Sequence, residues 1–240
     1  VVKNVAGYDL ARLFFFSHGR LGMMTALTLK LTPLPRQRLT LQVAVADILQ
    51  GIQWAQATAA CWLMAAGVVV NCDASGSHHL TITLEGLPED VRTEADAITA
   101  VLRKAGAQNV AEIDHAATAR WGEHLSATGE NDLLLRAGVP PQHLALYWQM
   151  LPEDARNAGA WFVDVASGLL FGRRSVTDVD TVRRWVESVR QPALALRGYG
   201  VVQAGPAPLL TASVRSEART ASVEVATAIK QRWDPAGVLI

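Results

Sequence analysis

The sequence has little cysteine, no long apolar run and no excess of charge of either sign. Its two cysteines, Cys61 and Cys72, lack the spacing of a zinc site and are too few for a disulfide framework, so we expect reduced thiols. The 22 basic and 22 acidic side chains balance, which argues against nucleic acid as a partner, because phosphate binding needs a basic excess. No apolar run approaches the roughly 20 residues of a membrane helix. We therefore expect a cytoplasmic chain without a transmembrane segment.

The opening stretch carries most of the functional information. Residues 3–10 read Lys-Asn-Val-Ala-Gly-Tyr-Asp-Leu, and residues 17–25 read Ser-His-Gly-Arg-Leu-Gly-Met-Met-Thr. The spacing predicts a helix, then a tight bend between Gly19 and Gly22, then a strand over 23–31. Glycine lets a backbone approach a ligand closely, because no Cβ intervenes. Spacing alone leaves two interpretations open, a helix cap followed by a turn or a loop that binds a ligand.

These residues, together with Thr-Pro-Leu-Pro at 32–35, resemble the end of the FAD-binding domain in FAD-linked oxidases of the vanillyl-alcohol oxidase type. Within that family the pattern is most similar to the FAD-binding subunits of bacterial glycolate oxidases. Residues 230–239, Lys-Gln-Arg-Trp-Asp-Pro-Ala-Gly-Val-Leu, resemble the family's closing Phe-Asp-Pro-x-Gly-x-Leu pattern. Between these two ends the resemblance concerns layout only.

The resemblance implies that the glycine loop binds FAD. In the family, the backbone of a Ser-x-Gly-x-Leu-Gly loop and the two residues after it lie against the adenosine diphosphate part of the cofactor. Phe16 and Arg20 stand where the family usually has glycine and threonine. Arg20 is either a phosphate ligand, since guanidinium presents a fixed fork of donors, or a solvated side chain. The residues implied to contact FAD are Ser17, His18, Gly19, Arg20, Leu21, Gly22, Met23 and Met24.

The resemblance also implies an activity and partners. As the FAD-binding subunit of a glycolate oxidase complex, the protein would help to oxidise glycolate, a small 2-hydroxy acid, to glyoxylate. Electrons would pass to a partner, and the implied partners are a sister flavin subunit and an iron-sulfur subunit. Through those partner subunits, a cytoplasmic chain would associate with the inner face of the membrane.

Two other functions stay open. The chain has no His-x-Gly-Asp-Gly-Asn motif, which separates it from the branch that contains D-lactate and D-2-hydroxyglutarate dehydrogenases. The chain is then either a catalytic subunit or a flavoprotein-like assembly subunit whose sister chain holds the catalytic flavin. A further alternative is an oxidase of the same fold that acts on a different hydroxy acid or alcohol. Because Val1 corresponds to a late position in the family's FAD domain, we expect a piece of a longer protein that binds FAD weakly or not at all by itself.

The middle of the chain predicts an α+β cap domain. Apolar alternation and turn residues predict the order strand, helix, strand, strand, helix, strand, followed by helix, strand, strand, helix, strand. We interpret this order as two ferredoxin-like units that share a central strand, in one antiparallel sheet of roughly seven strands with helices on one face. The predicted limits are 1–36 for the end of the FAD-binding domain, 37–197 for the cap, and 198–240 for a return segment with a C-terminal helix.

Several local predictions accompany this fold. Thr177-x-x-Asp180 resembles a capping box for a helix that Pro192 ends, and a final strand follows over 193–197. A further helix is predicted over 115–125.

Few polar side chains outside the loop suggest chemistry. Arg136, Arg173 and Arg174 are candidates to pair with a substrate carboxylate, or are solvated strand residues. His78 and His79 are adjacent on a predicted strand, so they point to opposite faces and are poorly placed to bind one metal ion together. The separation of His115 and His124 likewise fails the spacing of one helical face, and no metal site is predicted.

Overall fold

The computed structural model describes residues 10–15, 17, 19–72, 76–113, 129–211, 214 and 220–239. The chain divides into two compact units. The smaller consists of Val1–Pro33 and Arg219–Ile240, and the larger of Leu34–Ala218. The first boundary falls between Pro33 and Leu34, within the Thr-Pro-Leu-Pro sequence.

The larger unit contains all the strands that the described residues form, and the smaller unit contains two helices. The strands are β1 Gln37–Val45, β2 Ala65–Cys72, β3 His78–Gly86, β4 Val110–Ile113, β5 Asp132–Gly138, β6 Ala160–Asp164, β7 Leu169–Ser175 and β8 Tyr199–Ala204. The helices are α1 Leu10–Phe15, α2 Ile48–Ala57, α3 Pro88–Lys104, α4 Leu144–Met150, α5 Glu153–Asn157, α6 Val179–Ala195 and α7 Thr220–Trp233, of which α1 and α7 belong to the smaller unit.

The eight strands form one antiparallel sheet in the order β4-β1-β3-β2-β6-β7-β5-β8. The first four strands with α2 and α3 make one ferredoxin-like unit, and the last four with α4, α5 and α6 repeat it. The two units meet where β2 pairs with β6, with Val69 opposite Asp164 and Asn71 opposite Phe162. Tandem ferredoxin-like units are thus confirmed, but the predicted shared strand is wrong. Each unit keeps four strands of its own, and pairing the two open edges satisfies the backbone of both.

The helices pack on one face of the sheet. Alternate residues of β1, beginning with Leu39 and Leu41, are buried in the main core, as the period of two predicts. Val91 and Ile98 of α3, two helical turns apart, are buried in the same core. A smaller apolar cluster lies on the other face of the sheet and contains only strand residues.

Helix α6 begins and ends differently from the prediction. Asp178, not Thr177, is its N-cap, because the Asp178 carboxylate accepts hydrogen bonds of 2.7 Å from both the backbone amide and the hydroxyl of Thr181. Pro192 lies inside the helix, which continues to Ala195. A proline in the last turn loses only one helical hydrogen bond, so the helix tolerates it.

The predicted strand over 193–197 is wrong, because the helix occupies most of that range. Arg197, with a φ of 60°, and Gly198 form the turn that follows, and the Gly198 amide donates to the carbonyl of Ala193 at 2.7 Å. A Cβ at Gly198 would lie 2.2 Å from the carbonyl oxygen of Gly138, so only glycine fits there. The chain then enters β8, and the sheet extends beyond the predicted limit at residue 197.

One sequence prediction remains without an outcome in the larger unit. The helix expected over 115–125 lies outside the described residues. Across the described part of the chain, no helix is both long and apolar enough to cross a membrane.

The identity of the α6 cap can be tested with neighbouring substitutions. Replacing Asp178 by Ala should lower the urea concentration at which the chain unfolds, because the first turn of α6 loses its acceptor. Hydrogen bonds from the Thr181 hydroxyl and amide, in that order, also lower the pKa of Asp178. The difference in unfolding urea concentration between the wild type and Asp178→Ala should therefore shrink in acid, where the carboxylate becomes protonated. Thr177→Ala is the matched control and should unfold with the wild type. If Thr177→Ala lowered the unfolding urea concentration more than Asp178→Ala, Thr177 would be the cap, as the predicted capping box requires.

Candidate functional site

The glycine loop of the smaller unit begins at the end of α1. The Ser17 hydroxyl and backbone amide both donate to the carbonyl oxygen of Phe14, at 2.8 and 3.1 Å, and the Arg20 amide donates to the Ser17 carbonyl at 3.0 Å. Gly19 has a φ of 79°, a conformation that glycine adopts without steric cost. These contacts confirm the predicted helix end and tight bend. His18 lies outside the described residues.

Gly22 is required by packing inside the smaller unit. A Cβ at this position would lie 2.8 Å from Cε1 of Phe14. The Phe14 ring also packs against Trp233 of α7, with ring centroids 5.2 Å apart, so it is restrained on that side. Gly22 therefore has a structural reason to be glycine that sequence spacing did not reveal. Gly19 differs, because a Cβ there would meet no atom within 4 Å.

The residues after the bend are extended and exposed. Met23 and Met24 are 84% and 52% exposed, and Leu27 and Leu31 farther along are also largely exposed. The predicted strand over 23–31 is wrong for the described residues, because no neighbouring strand pairs with it there. The seven described residues of the predicted FAD contact set thus lie on one continuous stretch that is half-buried to exposed.

The closing turn of the chain is held by one carboxylate. Asp234 accepts hydrogen bonds from the amides of Val238 and Leu239 at 2.9 and 2.8 Å, and it pairs with the ammonium group of Lys230. Lys230 also donates to the carbonyl of Leu239 at 2.7 Å. The hydrogen bond from Lys230, followed by those from the two amides, lowers the pKa of Asp234 to about 2. The Asp-Pro-x-Gly sequence therefore builds a turn whose charge is satisfied internally.

The face of the sheet opposite the helices is the second candidate site. Its β1 and β3 half is polar, since the hydroxyl groups of Thr40 and Thr83 are 3.2 Å apart and the Gln42 amide donates to Thr81 at 3.4 Å. No helix of the larger unit contributes to the apolar cluster on this face, within the residues that the structure describes. These polar side chains pair with one another across the two strands.

The other half of this face combines aromatic and cationic side chains. Phe162 and Phe171 are 3% and 8% exposed and pack together with Val69, their ring centroids 6.2 Å apart. Arg136 pairs in register with Phe171, and Arg173 lies two residues along β7 on the same face. Arg174 falls on the helix side because successive strand residues alternate. The structure thus brings together two of the three predicted arginines and separates the third.

A cleft of about 630 Å³ lies on the larger unit where its two ferredoxin-like units adjoin. Both units contribute to its walls, so no local sequence pattern predicts it. Its acidic, basic and aromatic side chains suit a polar organic ligand better than a lipid. The residues that line it are Asp47, Ile48, Leu49, Cys72, His78, Trp148, Glu153, Arg156, Asn157, Gly159, Ala160 and Trp161.

The described histidines and cysteines are dispersed over the larger unit. His78 lines the cleft, whereas its neighbour His79 follows on the opposite face of β3. Cys61 and Cys72 are half-buried and are not joined in a disulfide. Among the described ranges, no group of three or more His, Cys, Asp and Glu side chains is placed to hold a metal ion. His115 and His124 lie outside those ranges.

Comparison with solved structures identifies the class of fold. A structure of alkyldihydroxyacetonephosphate synthase matches 99% of this chain with a TM-score of 0.62 and 10% sequence identity, and a second structure of that synthase gives 0.59. The chain spans 50% of the synthase chain. At this identity the likeness establishes a shared fold, and it carries no information about the reaction.

Sequence comparison adds a particular relative. Glycolate oxidase subunit GlcE of Escherichia coli strain K12 is 52% identical to this chain over 42 residues, which are 18% of this chain and 12% of GlcE. No family model matches the chain. The sequence similarity to GlcE is therefore local, whereas the likeness in fold covers nearly the whole chain.

The closing turn makes a pH-dependent prediction. The pKa of Asp234 is about 2 against an ordinary value of 3.8, so its stabilising contacts should be fully present above pH 4 and be lost as the pH falls through 2. At pH 3.5 the carboxyl carbon of Asp234 should still show the NMR shift of a carboxylate. Lys230→Met should move the titration towards 3.8, and a wild-type midpoint already near 3.8 would contradict the turn geometry.

Proposed function

We propose that this chain belongs to the FAD-binding subunit of a glycolate oxidase or dehydrogenase complex. The observation that carries the proposal is the segment 52% identical to glycolate oxidase subunit GlcE. The shared fold with the synthase and the exposed glycine loop are compatible with it. The substrate of the complex is a small 2-hydroxy acid, and the protein is cytoplasmic.

The glycine loop is the part of the chain that fits FAD. Its φ of 79° at Gly19 and the open space around that residue leave room for a ligand against the backbone. Arg20 is exposed beside it, and its guanidinium is suited to a phosphate. Ser17 and residues 19–24 would therefore hold the adenosine diphosphate part of FAD. When bound, FAD would supply the electron-accepting chemistry, and the loop of this chain would position it.

Electrons taken from glycolate leave through partner chains. The name of the relative as one subunit of glycolate oxidase supports the existence of partner chains. We propose that these are a sister flavin subunit and an iron-sulfur subunit, as the family resemblance implies. The described residues offer no metal cluster of their own that would receive the electrons. An assembly subunit without catalysis, and an oxidase acting on another hydroxy acid or alcohol, are the alternatives that the experiment must separate.

The test uses the protein purified from its native source with its partner chains. Gly22→Ala forces a Cβ against the restrained Phe14 ring. Such overpacking costs about 1–3 kcal/mol of stability and is relieved only if the ring or the loop backbone shifts, so the flavin content of the subunit should fall. The measurements are flavin absorbance per subunit and its bleaching by glycolate. Gly67→Ala in β2 is the matched control, because a Cβ there meets no atom within 4 Å.

Three results separate a catalytic subunit from an assembly subunit and test the loop itself. Loss of flavin together with glycolate turnover supports the catalytic subunit. Loss of flavin from this subunit with turnover retained identifies an assembly subunit. Flavin that stays at the wild-type level in Gly22→Ala rules out the loop as part of the FAD site.

A further inference from the structure

Arg136, in the middle of β5, carries a buried donor without an acceptor. Its Nε atom is shielded from solvent and has no hydrogen-bond partner. An unpartnered buried donor is costly, and it is more costly on a cation, because the charge also loses water. Native structures rarely retain such a group unless a ligand or a partner satisfies it.

The neighbours of Arg136 explain why no acceptor is at hand. In register, Phe171 lies on one side and Val201 on the other. The guanidinium carbon lies 5.5 Å from the ring centroid of Tyr199, an arrangement that favours the positive charge but offers nothing to Nε. Leu134 and Gly138 flank it on the same face of β5. No carboxylate occupies a neighbouring position of this face among the described residues.

The Tyr199 ring packs over Gly138 of the adjacent strand, which has no side chain to displace it. Gly138 pairs with Tyr199, and a Cβ on Gly138 would lie 2.6 Å from the tyrosine ring. The ring therefore lies across the glycine, and Arg136 lies over the ring. This packing orients the guanidinium independently of any ligand, so its donors are preorganised.

Two other arginines of the larger unit donate to acceptors within the protein. Arg38, on the same face of the sheet, donates from Nε to the carboxylate of Glu85, its cross-strand neighbour. Arg190 of α6, only 5% exposed, donates to the carbonyl oxygens of Gly200 and Val214 at 3.1 and 3.0 Å. Arg136 Nε lacks such an acceptor.

We propose that Arg136 binds the carboxylate group of a small organic acid, with Phe171 and Tyr199 beside it. A carboxylate accepts two parallel hydrogen bonds from guanidinium, which would satisfy Nε together with one terminal nitrogen. Arg173 lies diagonal to Arg136 across β5 and β7. The assignment rests on the proposed function, since it makes Arg136 the group that recognises the acid end of a 2-hydroxy acid.

Binding is measured on the chain itself by NMR of the arginine Nε–H groups. The resonance of Arg136 is identified by its loss in Arg136→Lys. Glycolate should shift this resonance, and glycolamide, which has the same size but no negative charge, should not. Arg136→Lys keeps the charge but lacks the planar fork, so the apparent Kd for glycolate should rise tenfold or more. Arg38→Lys is the matched control and should leave glycolate binding unchanged.

Two results would overturn the assignment. One is an Arg136 signal that stays unchanged up to high glycolate concentration, and the other is an equal shift with chloride, which would show a non-specific anion effect. Backbone spectra of Arg136→Lys and Arg136→Met that match the wild type establish that neither variant has lost the sheet.

A second measurement separates this assignment from the proposed function. In the native complex, Arg136→Lys should raise the KM for glycolate at least tenfold with a smaller change in kcat. If the isolated chain binds glycolate through Arg136 but the complex neither oxidises glycolate nor changes in the variant, the carboxylate site stands and the proposed function fails. If the complex oxidises glycolate with an unchanged KM in the variant, the proposed function stands and the role of Arg136 fails.

Discussion

The backbone pairing between β2 and β6 determines the organisation of the larger unit. It joins two four-stranded ferredoxin-like units, each of which would otherwise expose a strand edge. Because the pairing is antiparallel and in register, one face of the combined sheet is continuous across the join. Val69 from one unit packs there with Phe162 and Phe171 from the other. The other face carries the helices, and the cleft between the units opens beside the same join.

The smaller unit depends on different interactions. Its loop and its closing turn are both held by contacts made within a few residues, by Ser17 at the end of α1 and by Asp234 after α7. The longer-range contact is the packing of Phe14 on Trp233, and Gly22 is small because that ring occupies the space above it. A loop stabilised in this way can present its backbone to a ligand without being rebuilt when the ligand binds.

Local features were predictable where local chemistry decides them. The ends of α3, with Pro88 at its start and glycine after it, follow from the sequence because they depend on adjacent residues. The cap of α6 was predicted one residue early, since Thr177 and Asp178 are both residue types that cap helices well. Asp178 is the cap because its backbone is still extended and the helix begins at Val179. The strand expected over 193–197 failed because α6 tolerates Pro192 in its last turn.

The sequence by itself determined most of the strands and helices of the larger unit, the glycine bend at Gly19 and the charge that closes the turn at Asp234, because each depends on residues close together in the chain. Only the tertiary structure decided that two sheet edges join, that a cleft forms between them, and that Arg136 meets Phe171 and Tyr199 but no acceptor. These residues are tens of positions apart, and a strand pattern specifies which face a side chain takes without specifying its neighbours.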